Sequence, residues 1–221
     1  MTVKSSKILE MINNGQIEEL KAELRDEIYG EALKSTPNAK KRYAAMKKYF
    51  TYYSTAREYL QKPCIVDFEG KPYTSFCNSF SLVLTKEPCG AIELFTDVES
   101  YPNVGNLISF NGVERKIDFK AIFAEAASKG YKLNKSELNT FKYKYLLLYE
   151  GAYYKLGLVD ASYSIIDDGE EASVFCEHGS FRSSLVINNS LGICVVMPIR
   201  IENPEESLQD KIIIEVNTDE A

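Results

Sequence analysis

Residues able to carry chemistry are few in this chain and widely spaced. There is one histidine, His178, within Cys176-Glu177-His178-Gly179, which reads as the tip of a hairpin. A general base needs a positioned partner. Glu177 is its sequence neighbour and would point to the opposite face of a strand. Five cysteines occur, at Cys64, Cys77, Cys89, Cys176 and Cys194. Their number is odd, no CxxC spacing is present, and most sit in apolar runs. They read as reduced, buried thiols of a cytoplasmic protein, and with a single histidine they do not make a zinc site. Cys89 follows Pro88 and has only Lys86 nearby as a base, which gives little support to a nucleophilic thiolate. Asp167-Asp168 with Glu170-Glu171 are four acids around Gly169, but their order is not that of an EF-hand loop, and they read as a solvated turn. GxGxxG, P-loop, GxSxG and HExxH motifs are all absent. The expectation is a protein with no catalytic residues, no metal and no cofactor.

Two stretches stand out instead. The first is basic. Residues 38–58 carry Lys40, Lys41, Arg42, Lys47, Lys48 and Arg57 among five aromatic residues, with Glu58 the only acid. The chain as a whole is acidic, with net charge -6 and pI ≈ 5.1. It is therefore not drawn to nucleic acid globally, yet lysines clustered on one helix make a local field suited to phosphates. The ordinary alternative is a solvated helix face with its aromatics in the core. The second stretch is Leu185 to Ile201, LVINNSLGICVVMPIRI, in which two apolar strands flank Asn-Asn-Ser. Its end, Met197-Pro198-Ile199-Arg200, is an unusual finish for a buried strand unless that end borders a site.

The elements that must position these stretches follow from the apolar spacing. Residues 5–34 predict a helix interrupted at Asn13-Asn14-Gly15, with Ile17, Leu20, Leu24 and Ile28 on one face. That face needs its own body, or a partner, to pack on. From Pro63 the period changes to that of strands: CIVDF, YTSF and FSLVLTK form a meander, and AIELF at 91–95 a further short strand. Thr96 to Ile108 is polar and turn-rich and predicts a connection between two halves. Residues 117–129 form an amphipathic helix started by Asp118 and stopped by Gly130. A hairpin turns at Glu150-Gly151, a short helix spans 159–167, and EASVFCEH, SFRSSLVI and ICVVMPIRI are strands. KIIIEV is a possible extra strand. The order predicts an α+β fold of antiparallel sheets with helices on one face. The segments would be an N-terminal helical extension at 1–35, a partial domain at 36–100, a second domain at 101–201 and an extension at 202–221. No window reaches the roughly 20 apolar residues of a membrane span. The opening MTVKSSKILEMINNGQ lacks a signal peptide's apolar run.

Several stretches, in order, resemble the bacterial β sliding clamp of DNA replication. VVMPIRI is similar to that family's C-terminal Val-Met-Pro-hydrophobic-Arg-hydrophobic run. YPNVGNLI at 101–108 resembles its Phe-Pro-Asp-Tyr-type connector. LGLVDASYSII followed by EASVFCEHGSFRSSLVI resembles the second helix of a clamp domain and the strands after it. YTSFCNSFSLVLTK stands in place of the Thr-Asp-Gly-His-Arg-Leu strand pair, with Phe80-Ser81 where the family has His-Arg. The resemblance implies a DNA-clamp-like fold and a groove that binds linear peptide motifs of a DNA polymerase or other replication or repair protein. Carried over, that groove takes Cys77, Ser79, Leu82, Pro102, Asn106, Leu107, Val195, Met197, Pro198, Ile199 and Arg200. It also implies double-stranded DNA as a partner for Lys40, Lys41, Arg42, Lys47 and Lys48, and self-association of the chain. A clamp has three domains, more than 221 residues supply. The alternative is a phage or prophage regulatory interaction protein that keeps the fold without encircling DNA.

Overall fold

The computed structural model describes residues 5–35, 38–49, 60–87, 89, 92–138, 143–176 and 183–216, with the backbone alone given at 26, 29–35 and 98. His178, its hairpin tip, and residues 50–58 of the expected basic helix lie outside the described residues.

Seven strands make one sheet, in the order β1 (Cys64–Phe68), β2 (Lys71–Cys77), β3 (Ser81–Thr85), β9 (Gly192–Val196), β8 (Leu185–Asn188), β7 (Ala172–Cys176) and β4 (Val113–Ile117). Every pairing between these strands is antiparallel. A second sheet joins β10 (Ile212–Glu215), β5 (Tyr145–Tyr149) and β6 (Ala152–Lys155), with β10 running parallel to β5. The helices are α1 (Ser5–Asn13), α2 (Ile17–Ser35), α3 (Ala39–Tyr49), α4 (Phe119–Ser128), α5 (Lys135–Leu138), α6 (Leu156–Ile166) and α7 (Pro204–Ser207). The fold is α+β.

Helix α6 lies between the two sheets, touching β3 and β9 on one side and β5 and β6 on the other. A helix enclosed on all sides should be apolar on all sides. LGLVDASYSII is: only Asp160 and Ser164 are half-buried, and the rest is buried. It begins at Leu156, three residues before the expected start at 159. Strand β6 passes into it directly, so Leu156-Gly157-Leu158 is helix rather than the end of a strand. Gly157 is required there, because a Cβ would sit 2.7 Å from the Glu137 carbonyl oxygen. The buried Glu137 carboxylate in turn accepts from the backbone N–H groups of Lys144 and Tyr145, at 3.1 Å each, and fixes the start of β5.

The central strands β3 and β9 of the large sheet are buried on both faces. Val83, Cys194 and Val196 face α6, Met46 and Tyr49, while Leu82, Leu84, Ile193 and Val195 face Tyr101 and Val104 of the connector. This accounts for the unbroken apolar run GICVV, since a strand covered twice does not alternate. Helices therefore lie on one face, as expected, and an irregular segment covers the other.

Three expectations need correction. Among the described residues of AIELF there is no strand, and Phe95 forms an isolated bridge to Cys64. VERKI, to which no element was assigned from the sequence, is the edge strand β4; lysine and glutamate suit an edge that must not pair with a second sheet. Segments 36–100 and 101–201 are not separate bodies, because β3 pairs with β9 and α3 packs on α6. Residues 202–216, the described part of the expected C-terminal extension, are not an appendage either, since β10 completes the small sheet and Ile214 is fully buried. Among the described residues, no helix is long and apolar enough to cross a membrane.

Gly192 sits on the β3–β9 seam, where a Cβ would lie 2.0 Å from the Leu84 carbonyl oxygen and 2.9 Å from Ile166 Cγ2. Neither backbone can give way without parting the strands. Gly192→Ala is expected to lower unfolding stability by at least about 2 kcal/mol in a urea titration; an unchanged midpoint would show that the seam is looser than drawn.

Candidate functional site

An open apolar groove of about 310 Å³ forms where three distant stretches meet. The turn between β2 and β3 supplies Cys77, Ser79, Phe80, Ser81 and Leu82. The connector supplies Pro102 and Leu107, the end of β9 supplies Val195 and Met197, and Leu60 closes one end.

Each wall has a local reason. The turn is tied by Asn78, whose Oδ1 accepts from the backbone N–H of Phe80 (3.1 Å) and of Ser81 (2.8 Å). An Asn side chain that mimics a turn in this way frees the next residue to adopt a left-handed backbone; Ser79 does so, with φ 43. That geometry turns Phe80 outward. The Phe80 carbonyl accepts from the Met197 N–H at 2.9 Å, which binds the turn to the end of β9. The connector is pinned from beneath. Tyr101 runs into the core and its hydroxyl reaches the Ser75 carbonyl at 3.1 Å and Oγ at 3.0 Å. Burial pushes that phenol well above its ordinary value. Val104 is buried beside it, and Asn103 caps the following 3-10 turn (Val104–Asn106) by accepting from the Gly105 N–H at 3.1 Å. The connector is thereby held with Leu107 outward.

Three large apolar side chains on this rim remain open to solvent: Met197 at 46%, Leu107 at 44% and Phe80 at 37% exposure. Ser184 Oγ donates to Met197 Sδ at 3.3 Å. Behind Phe80 the Lys155 ammonium lies 5.1 Å from its ring and 4.9 Å from that of Tyr143. Burial lowers the pKa of that amine. The Cys77 thiol, on the floor, is pushed up to about 11 by burial, which keeps it protonated at neutral pH.

The groove gathers Cys77, Ser79, Leu82, Pro102, Leu107, Val195 and Met197. Asn106 does not line it; its N–H closes the 3-10 turn on the Asn103 carbonyl at 3.2 Å. Strand β9 ends at Val196, and the chain then bends toward the small sheet. Ile199 donates its N–H to the Tyr153 carbonyl at 2.8 Å. Ile199 and Arg200 consequently line a separate depression, with Gly151, Tyr153 and Glu202. Pro198 is half-buried at the bend and lines neither. Phe80, Ser81 and Leu60 are the groove residues that the sequence reading missed. An aromatic residue next to a turn at Asn78-Ser79 was the available signal for Phe80.

The basic stretch divides in two. Lys40, Lys41, Lys47 and Lys48 are exposed, and their spacing of seven puts them on one face of α3. Arg42 is a correction. It is fully buried, with Nε 2.9 Å from Glu87 Oε2, Nη1 2.9 Å from the Asp167 carbonyl, and Nη2 on Glu87 Oε1. It therefore cannot meet a phosphate, and instead ties α3 to the end of β3 and the end of α6. Lys41 Nζ is 3.7 Å from Asp167 Oδ2, and Lys47 Nζ is 4.3 Å from the centre of the Tyr43 ring.

The acidic turn is structural as well. Asp167 Oδ1 accepts from the Gly169 N–H at 3.0 Å, and Asp168 Oδ2 accepts from Ser190 Oγ at 2.7 Å. Among the described residues, no three His, Cys, Asp or Glu side chains are grouped to hold a metal. No family model, curated protein or solved structure matches the chain.

Arg42→Ala strands the Glu87 carboxylate in a nearly dry site and is expected to cost about 3–5 kcal/mol in thermal or urea unfolding. Lys47→Ala and Lys48→Ala, on the solvated face, should stay within about 0.5 kcal/mol of the wild type. Equal effects would remove the distinction between the buried and the solvated cations.

Proposed function

We propose that the chain is a non-enzymatic, clamp-like adaptor that holds an extended peptide from a replication or repair protein in the groove. The observation that carries this reading is convergence. Stretches near 77–82, 102–107 and 195–197, each picked out by the resemblance to sliding clamps, meet in one apolar groove. Its volume is at the lower end of the about 300–1,000 Å³ usual for ligand pockets, which suits one or two apolar anchor side chains. Methionine and proline give an adaptable surface, and clustered exposed apolar groups mark a binding site more often than scattered ones.

The second part of the proposal concerns DNA. Lys40, Lys41, Lys47 and Lys48 form an even stripe that suits non-specific phosphate contact. Four lysines on one helix make a side contact with a duplex. Encirclement would need further basic helices, and α6, the other helix of that layer, is buried and carries no Lys or Arg.

Fluorescence anisotropy with a labelled polymerase-type peptide tests the groove. Met197→Ala and Leu107→Ala are each expected to raise Kd about tenfold, which corresponds to a moderately strong anchor contact. Pro198→Ala and Asn106→Ala should leave it within about twofold. Undiminished binding by the Met197 and Leu107 variants would overturn the reading. For DNA, the log–log salt slope of duplex binding should fall by about 0.9 for each lysine removed from the stripe.

A further inference from the structure

Lys155 occupies a position that local rules disfavour. It is only 4% exposed, and lysine is among the side chains least often buried. It is also the N-cap of α6, where β6 passes into the helix, and its side chain makes no capping hydrogen bond. Ser, Thr, Asp and Asn are favoured at such a position, and a cation there opposes the helix dipole. A residue that breaks several local rules at once marks a place where function, not folding, sets the choice.

The surroundings of the ammonium are aromatic. Its Nζ lies 5.1 Å from the centre of the Phe80 ring and 4.9 Å from that of Tyr143. Lys211 approaches the same tyrosine, with Nζ 4.4 Å from the ring centre and donating to the Tyr143 carbonyl at 2.7 Å. The negative faces of rings support a cation without neutralising it. Two positive charges therefore converge on Tyr143, and Phe80 connects them to the groove. Phe80 lines the groove and neither lysine does. The ten lining residues carry no charge, and Lys155 stands behind one of them.

We infer that Lys155 is a specificity-determining residue of the groove, selecting peptides that carry Asp or Glu beside the apolar anchors. The inference rests on the groove's being a peptide site. An ammonium shielded from water is screened less than an exposed one, so its field acts across the Phe80 ring. A carboxylate at that end of the groove feels this field while it remains at the rim and keeps part of its own hydration. The anchors take the apolar floor, and the charge decides which peptides are held, since electrostatic complementarity contributes more to specificity than to affinity. The chain as a whole has net charge -6 and repels acidic peptides. A preference for them is consequently a local property.

The test is fluorescence anisotropy of the full chain with one polymerase-type peptide in three versions, bearing Glu, Gln or Lys beside the anchors, on each side in turn. At about 50 mM salt the Glu version should bind about tenfold more tightly than the Lys version on one side, with Gln between them, and about 500 mM salt should narrow the gap. Lys155→Met keeps most of the side chain's length and removes the charge. It should bring the three versions within about twofold of one another and leave Kd for the Gln version within about threefold of the wild type, with unchanged circular dichroism. Lys155→Gln gives the same readout if the Met variant does not fold. Equal binding of the three versions by the wild type, with Met197→Ala still weakening all of them, would overturn this inference and leave the groove reading standing. So would a preference for Glu that survives the loss of Lys155. Absence of saturable binding by every version would overturn both.

Discussion

The backbone pairing of β3 with β9 is the constraint on which the other features depend. Five residues of one strand bond to five of the other, from Ser81↔Val196 to Thr85↔Gly192. They come from stretches more than a hundred residues apart, so their union closes the chain into one body. The pairing is tight enough to demand a glycine at its end, where α6 also presses against the sheet. Because β3 begins and β9 ends at the same edge of this seam, the turn at Asn78 and the side chain of Met197 become neighbours. The groove is thus a by-product of strand register. Its third wall, the connector, is added by inserting one tyrosine and one valine into the sheet's second core.

The sheet therefore has two faces with different tasks. One is covered by regular helices and carries the bulk of the buried apolar area, which is the main favourable term in folding. The other is covered by an irregular segment that satisfies its own backbone through short turns and an Asn cap, and holds apolar groups outward. On the helical side, charge is sorted the same way. Arg42 spends its hydrogen bonds inside the molecule, while the four lysines around it stay in water. A helix this basic is compatible with an acidic protein because one of its cations is neutralised internally and the rest project from one face.

The sequence showed most of the regular elements and some of the groove. Asn13-Asn14-Gly15 marks the break between α1 and α2, Asp118 and Gly130 bound α4 to within a residue or two, and Glu150-Gly151 is the hairpin turn, all from local rules of capping and positive φ. The parts that stayed hidden depend on distant contacts. Charged VERKI is a strand only because Ser173 and the other residues of β7 lie beside it. The burial of Arg42 required Glu87, forty-five residues on, and the Asp167 carbonyl. Seven groove residues were nameable from the resemblance to clamps, whereas Pro198, Ile199 and Arg200 were carried along with Met197 as one linear motif. The bend after Val196, set by the Ile199–Tyr153 hydrogen bond, separates them in space.

Methyl NMR of the isotope-labelled chain, titrated with a polymerase-type peptide, addresses the groove most directly, because it reports location as well as affinity. The account predicts saturable shifts at the methyl groups of Leu60, Leu82, Leu107, Val195 and Met197, with Ile199, Ile201 and the α6 methyl groups essentially unmoved. Shifts centred on Ile199 and Ile201, or no saturable shift at millimolar peptide, would contradict it.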